Sequence, residues 1–156
     1  MREVIANASP LIALEQIGDL WLLERLFQQI TVPRAVIGEI SRTVTLPPWI
    51  EERAVTQPVG PRILSTALGA GEREALSLAL ETPPRWLILD ERPARHIAQG
   101  LGLPVIGTLG ILLSAKQKGL IPTLKPRLDG LLAHDFRLSM VLYERVLHEA
   151  GESGEG

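Results

Sequence analysis

Oxygen-bearing side chains punctuate this chain where its apolar segments end. Asn7 follows Val4 and Ile5, Glu39 adjoins the stripe Val36, Ile37 and Ile40, and Glu72 and Glu74 follow the glycines Gly69 and Gly71. Asp90 and Glu91 close the run Trp86 to Leu89, and Thr108 follows Val105 and Ile106. Hard oxygen donors of this kind suit a hard divalent cation: Mg²⁺ takes one or two carboxylates and keeps several waters. Gathered on one rim, they suit phosphodiester hydrolysis, in which ions activate water and stabilise the leaving oxygen. The chain has no Cys, which excludes disulfides, thiolate zinc sites and thiol nucleophiles. His96, His134 and His148 are widely separated and lack ligand spacing, so they are expected on the surface.

For those donors to meet, the elements before them must open onto the same rim. Val4 and Ile5 read as a short strand, and Ser9-Pro10 as the N-cap and first position of a helix. Asp19 is expected to cap a helix running to about Gln28, with Leu20, Leu23, Leu26 and Phe27 on one face. Ile30 to Val32 reads as a strand, and Pro33 opens a helix with Val36, Ile37 and Ile40 inward. A Pro-rich connection from about Thr43 to Pro61 is expected to be mobile, with a turn and a short helical patch at Pro47, Pro48 and Trp49.

Beyond it, Ala75, Leu76, Ala79 and Leu80 repeat at helical spacing from Glu72 to Leu80. Trp86 to Leu89 reads as a buried strand, Arg92 to Gly100 as a helix, Val105-Ile106 as a strand and Thr108 to about Lys118 as a helix ended by Gly119. Two more helices follow, the second capped by Ser139. Alternating strands and helices with short links argue for an α/β fold with a parallel sheet and helices on both faces. Parallel order sets every strand's C-terminal end on one rim, where open α/β sheets bind ligands.

At 156 residues, with 46% hydrophobic and 22% charged, the chain is expected to be one soluble domain over residues 1–150 with a flexible tail at 151–156. The net charge of −2 gives no global pull on a polyanion, so nucleic-acid binding would need a local basic patch or a metal. Arg92, Arg95, Lys116 and Lys118 form a candidate phosphate-facing patch. No apolar stretch reaches the roughly 18 residues needed to span a bilayer, and no signal peptide is evident, so a cytoplasmic location is expected. A phosphate-binding loop of the G-x-x-x-x-G-K-[ST] type and a dinucleotide fingerprint are both missing.

The segments NASPLIALEQIGDLWLLERLF, VPRAVIGEI, LGAGEREALSLAL, LILDERPARHIAQGLGLPVIGTLGILLSAKQKGLI and FRLSMVLYERVL together resemble the PIN-domain superfamily, in a branch catalogued as a domain of unknown function and similar to VapC-type toxin ribonucleases. The resemblance implies a three-layer α/β/α domain with a short parallel sheet flanked by helices. It implies Mg²⁺- or Mn²⁺-dependent hydrolysis of RNA, a homodimer and, for the toxins, a cognate antitoxin. It sets Asn7 at the first acidic position, Glu39 at the second, Glu74 or Glu72 at the third and Asp90 or Glu91 at the fourth, with Thr108 at a hydroxyl position. Glu39, Glu74 and Asp90 or Glu91 would then hold the ion while Asn7 orients metal or water, Glu74 having the better register of the two.

Asn7 departs from the family pattern, because most members carry Asp there and an amide offers only a neutral oxygen. At an effective dielectric near 20, a charge pair at about 4 Å is worth roughly 4 kcal/mol, so the exchange bears directly on rate. A catalytically weak or inactive RNA- or protein-binding module is therefore the rival expectation. Local chemistry supplies other roles as well: Asn7 and Thr108 as helix caps, Glu39 as a solvated residue, Glu72 and Glu74 as dipole partners, and Asp90 and Glu91 as N-cap and first-turn acid.

Overall fold

The computed structural model describes residues 2–56 and 68–152. Five strands form one parallel sheet: β1 (Val4–Ala6), β2 (Ile30–Pro33), β3 (Ile50–Arg53), β4 (Trp86–Ile88) and β5 (Val105–Ile106). Their order is β3-β2-β1-β4-β5, with registers such as Ile5 to Thr31, Ile5 to Leu87 and Leu87 to Val105. The direction of winding reverses between β1 and β4. That is the topological switch point, where the loops leaving two adjacent strands part and open a crevice.

Eight helices among the described residues flank the sheet: α1 (Ala8–Gln16), α2 (Trp21–Phe27), α3 (Arg34–Ile40), α4 (Ala70–Glu81), α5 (Arg92–Gly100), α6 (Thr108–Gln117), α7 (Lys125–Ala133) and α8 (Met140–Glu149). The pleat sorts the core into two layers. Val4, Ala6 and Ile88 pack with residues of α1, α2, α3, α6, α7 and α8 on one face, whereas Ile5, Leu87 and Leu89 pack with α4 and α5 on the other. Strands covered on both faces read as continuous apolar runs, which is why VIA and WLI are legible without alternation. The fold is a three-layer α/β/α domain with a short parallel sheet.

Several expected boundaries move for local reasons. α1 begins at Ala8 and Asn7 is its N-cap residue, so Ser9 lies inside the helix. Pro10 is tolerated there because the first turn's amides have no intrahelical partner. Asp19 does not cap α2: the residue is 4% exposed and its carboxylate accepts from Arg127 Nε at 2.8 Å, tying the approach to α2 onto α7.

β3 lies inside the Pro-rich connection for which the sequence predicts mobility, a turn and a short helical patch but no strand. It carries Glu51, Glu52 and Arg53, all exposed, and is held as an edge strand by its ladder to β2 together with Gln29–Glu51 (2.7 Å) and Arg34–Glu52 (3.3 Å) contacts. Around Pro47, Pro48 and Trp49 a turn forms without a helix, and positions 57–61 of that connection lie outside the described residues. Ser139 does cap α8, accepting from the Leu142 amide at 3.1 Å.

At the C-terminus, Glu152 is hydrogen-bonded to the body of the domain. Glu152 accepts from Lys116 Nζ at 2.6 Å and from the Leu124 amide at 2.7 Å, and only positions 153–156 of the expected tail lie outside the described residues.

Candidate functional site

Asn7 ends β1 in extended backbone, and its amide donates to Ile88 O at 3.0 Å, so it bridges the two strands of the switch point. The residue is 2% exposed, its side chain does not cap α1, and Oδ1 is buried without a partner among the described residues. A buried carbonyl oxygen without a donor costs about 1–3 kcal/mol, and such atoms are rare in folded proteins. The helix-cap role is thus met by Asn7's position and left unmet by its side chain.

Asp90 stands just beyond β4 on the other side of the switch point. It accepts from the Thr108 amide at 2.8 Å through Oδ1 and from the Thr108 hydroxyl at 2.6 Å through Oδ2. Burial pushes its carboxyl above the ordinary range in spite of those bonds and the nearby Arg95, and Glu91 adds to the upward push. Thr108, wholly buried, is the first residue of α6 and not its N-cap; Gly107 holds that position and Asp90 does the capping. A Cβ on Gly107 would stand 2.8 Å from Asp90 Oδ1 and 3.2 Å from Arg95 Nη1, so this approach requires glycine. Glu91 is the positional N-cap of α5 and lies 3.5 Å from the Ser9 hydroxyl.

The acids of α3 and α4 divide. Glu39 Oε1 accepts from the Gly71 amide at 3.0 Å, in the first turn of α4, and Glu74 Oε1 accepts from the Ala35 amide at 2.9 Å, in the first turn of α3. Each helix therefore caps the other's N-terminus. A Cβ on Gly71 would come 2.5 Å from Glu39 Oε1, which accounts for a glycine inside a helix.

Glu72 accepts from the Gly69 amide at 3.1 Å. Burial raises its carboxyl above the usual range against that bond, and repulsion from Glu91 and Glu39 raises it further. Asn7, Asp90 and Glu91 stand at the strand ends of the switch point, Glu72 is near enough to Glu91 and Glu39 to be repelled by both, and Glu74 is engaged by α3.

A family model described as a PIN domain matches residues 3–152, nearly the whole chain. The chain belongs to the PIN-domain family. No curated protein and no solved structure matches it. A PIN domain carries a nuclease-like fold and in general depends on a divalent metal.

The residues present bear on whether this PIN domain suits such an ion. An unpartnered amide oxygen and carboxylates raised by burial and mutual repulsion are arrangements a cation relieves. Among the described residues, however, no three acidic or imidazole side chains lie close enough to form a metal-binding group. Both observations fit a Mg²⁺-like ion, held by one or two carboxylates with water and substrate completing its shell, better than a closed protein cage.

The basic patch differs from its sequence-based outline. Arg92 and Arg95 line a cleft beside Asp90 and Glu91, joined by Arg137 and Arg145. Lys116 is bound to Ala150 O and Glu152, and Lys118 caps the C-terminal end of α6, about 15 Å of helix from the rim. Sequence periodicity set Lys116 and Lys118 on the right helix, but the wrong end of it faces the site. Arg137 and Arg145 carry no local signal, because α8 reaches the cleft only through tertiary packing.

Proposed function

We propose that this PIN domain is a Mg²⁺- or Mn²⁺-dependent ribonuclease that hydrolyses RNA phosphodiester bonds. The observation that carries the proposal is the buried Oδ1 of Asn7, without a hydrogen-bond partner among the described residues, at the strand end next to the one that leads to Asp90. Asn7 and one or two of the carboxylates of Glu72, Asp90 and Glu91 would hold the ion, which when bound would supply Lewis-acid stabilisation of phosphoryl charge and a lower pKa for water. Thr108 fixes the Asp90 carboxylate through two hydrogen bonds, so its orientation does not depend on substrate. Arg95, beside Asp90, is placed to meet a phosphate oxygen as negative charge develops. Glu39 and Glu74 brace α3 against α4 and keep Glu72 at the rim.

Cleavage of a single-stranded oligoribonucleotide in Mn²⁺ tests this, comparing wild type with Asp90→Asn. Wild-type cleavage that vanishes in Asp90→Asn is expected; equal cleavage by both proteins, or none by either, sinks it. The neutral Asn7 favours one second reading, an RNA- or protein-binding PIN domain with little catalysis. Asn7→Asp discriminates: activity that appears only in this variant, by about a hundredfold or more for a few kcal/mol of regained charge, selects the binding module.

By family analogy alone the proposal extends to the toxin of a toxin–antitoxin pair, acting in the cytoplasm as a homodimer with a cognate antitoxin. No helix among the described residues is long and apolar enough to cross a membrane. Growth arrest on expression, relieved by a co-expressed neighbouring reading frame, would support the toxin role, and sedimentation equilibrium tests the dimer.

A further inference from the structure

Gly107 brings Asp90 and Arg95 to the same point of the rim. A Cβ on it would stand 2.8 Å from Asp90 Oδ1 and 3.2 Å from Arg95 Nη1, so one methyl group would touch both. Yet the Arg95 guanidinium forms no ion pair and donates no hydrogen bond among the described residues, whereas Arg34, Arg53 and Arg127 each sit against a carboxylate. Asp90 is held by Thr108 through both of its oxygens, so its position does not depend on Arg95. Arg95 is half-buried on the wall of a cleft of about 1420 Å³, where Arg92, Arg137 and Arg145 are exposed. The cleft gives its long side chain room to turn away from Asp90.

We propose that Arg95 is a resident countercharge that gates the ion site: it opposes a divalent cation at Asp90 until a phosphate group draws the guanidinium away. This adds regulation to the reading above, and it rests on the ion-binding part of that reading and not on cleavage. A guanidinium beside a bound divalent ion repels it directly, and at a half-buried position salt screens that repulsion little. A phosphate offers the guanidinium a planar, charge-assisted partner, which Asp90, turned to Thr108, does not. With the fork on phosphate, the positive charge is neutralised and the ion meets Asp90 unopposed. Metal and phosphate therefore favour each other's binding, and linkage makes that coupling the same in both directions. The site takes up its ion together with a phosphate group and not ahead of it.

The test is calorimetric titration of Mn²⁺ into wild type, Arg95→Gln and Arg95→Lys, alone and with 5′-AMP. Arg95→Gln is expected to bind Mn²⁺ about tenfold more tightly than wild type, because a repelling charge is gone. Arg95→Lys returns the charge and should bind within about twofold of wild type. Corrected for Mn²⁺–AMP complexes in solution, 5′-AMP should raise the Mn²⁺ affinity of wild type by a factor several times larger than that of Arg95→Gln. Lys118→Gln removes a positive charge at the far end of α6 and should leave Mn²⁺ affinity unchanged.

A purely structural Arg95 gives the opposite sign, since its loss would loosen the rim and weaken the ion. Arg95→Gln that binds Mn²⁺ no better than wild type overturns the gate, and so does an equal effect of 5′-AMP in the two proteins. Arg95→Lys that behaves like Arg95→Gln overturns it too, because shape and not charge would then be at work. Failure of every protein to bind Mn²⁺ defeats both the gate and the metal-dependent reading. The expected Mn²⁺ pattern without RNA cleavage leaves the gate standing and defeats only the ribonuclease.

Discussion

Glu152 and Glu72 both place a carboxylate beside the first turn of a helix, in regions that treat it in opposite ways. Around Glu152 the charge is answered: Lys116 and the α7 amides donate to it, and nearby Tyr143 donates to Asp129 at 2.6 Å while accepting from Lys125 at 2.9 Å. Around Glu72 the Gly69 amide alone donates among the described residues, while Glu91 and Glu39 repel. One region uses acids to close the fold. The other keeps acids partly buried and incompletely paired, an arrangement found disproportionately at functional sites.

The largest effect expected to break or sharpen that contrast is at Glu72. Glu72→Gln keeps the shape and removes the charge, and RNA cleavage should fall about a thousandfold, as loss of roughly 4 kcal/mol of ligand charge would give. The urea midpoint should hold or rise, and Mn²⁺ should lift the melting temperature of wild type but not of the variant. A stability loss matching the activity loss would move Glu72 into the structural class.

At Arg127 the reverse pattern is expected. Arg127→Met strands the Asp19 carboxylate, whose side chain is 6% exposed, and should cost about 3 kcal/mol in urea unfolding. Adding Asp19→Leu should recover most of that loss, because two apolar residues leave no buried charge. Metal-induced stabilisation should be the same in both variants. If Arg127→Met instead abolished it, the structural and functional regions would be coupled.

How much of this was legible in the sequence depends on whether a signal is local. β1 and β4 were readable because strands buried on both faces are plain apolar runs, and β5 as the apolar pair Val105-Ile106 ahead of Gly107. β3 was not, because Glu51, Glu52 and Arg53 become a strand only through pairing with β2. The placement of Asn7, Asp90, Glu91 and Thr108 beyond strand ends was legible, since parallel order fixes the rim. The division between Glu72 and Glu74 was hidden: they stand two positions apart on α4, and which one turns to α3 depends on where the Ala35 amide lies. Asp19 looked like a cap for the same reason, since its partner Arg127 is far along the chain.

A smaller effect is expected one residue from Glu72, at Gly71. Alanine favours a helix over glycine by about 1 kcal/mol, but its Cβ would press on the Glu39 carboxylate. Gly71→Ala should therefore be neutral or destabilising in wild type and stabilising once Glu39→Ala has cleared the space. A double-mutant cycle should give a coupling of about 1 kcal/mol. Zero coupling would mean that Glu39 does not brace α4.

The smallest effect separates the regions by sign. Burial works against ionisation of Glu152, but Lys116 and the Leu124 and Lys125 amides prevail and hold its carboxyl below the ordinary value. Its contribution to stability is present above the ordinary glutamate range and is lost as pH falls through the lowered folded value. Burial first, then Glu91 and Glu39, raise Glu72 above its ordinary value. Its contribution is present below the ordinary range and is lost as pH rises through the raised folded value.

Unfolding followed from acid to neutral pH should accordingly show wild type gaining on Glu152→Gln and losing ground to Glu72→Gln, each by about 1 kcal/mol or less. Opposite slopes, measured without metal, would separate the acid that closes the fold from the acid kept for a cation. Parallel slopes would mean that both carboxylates are structural.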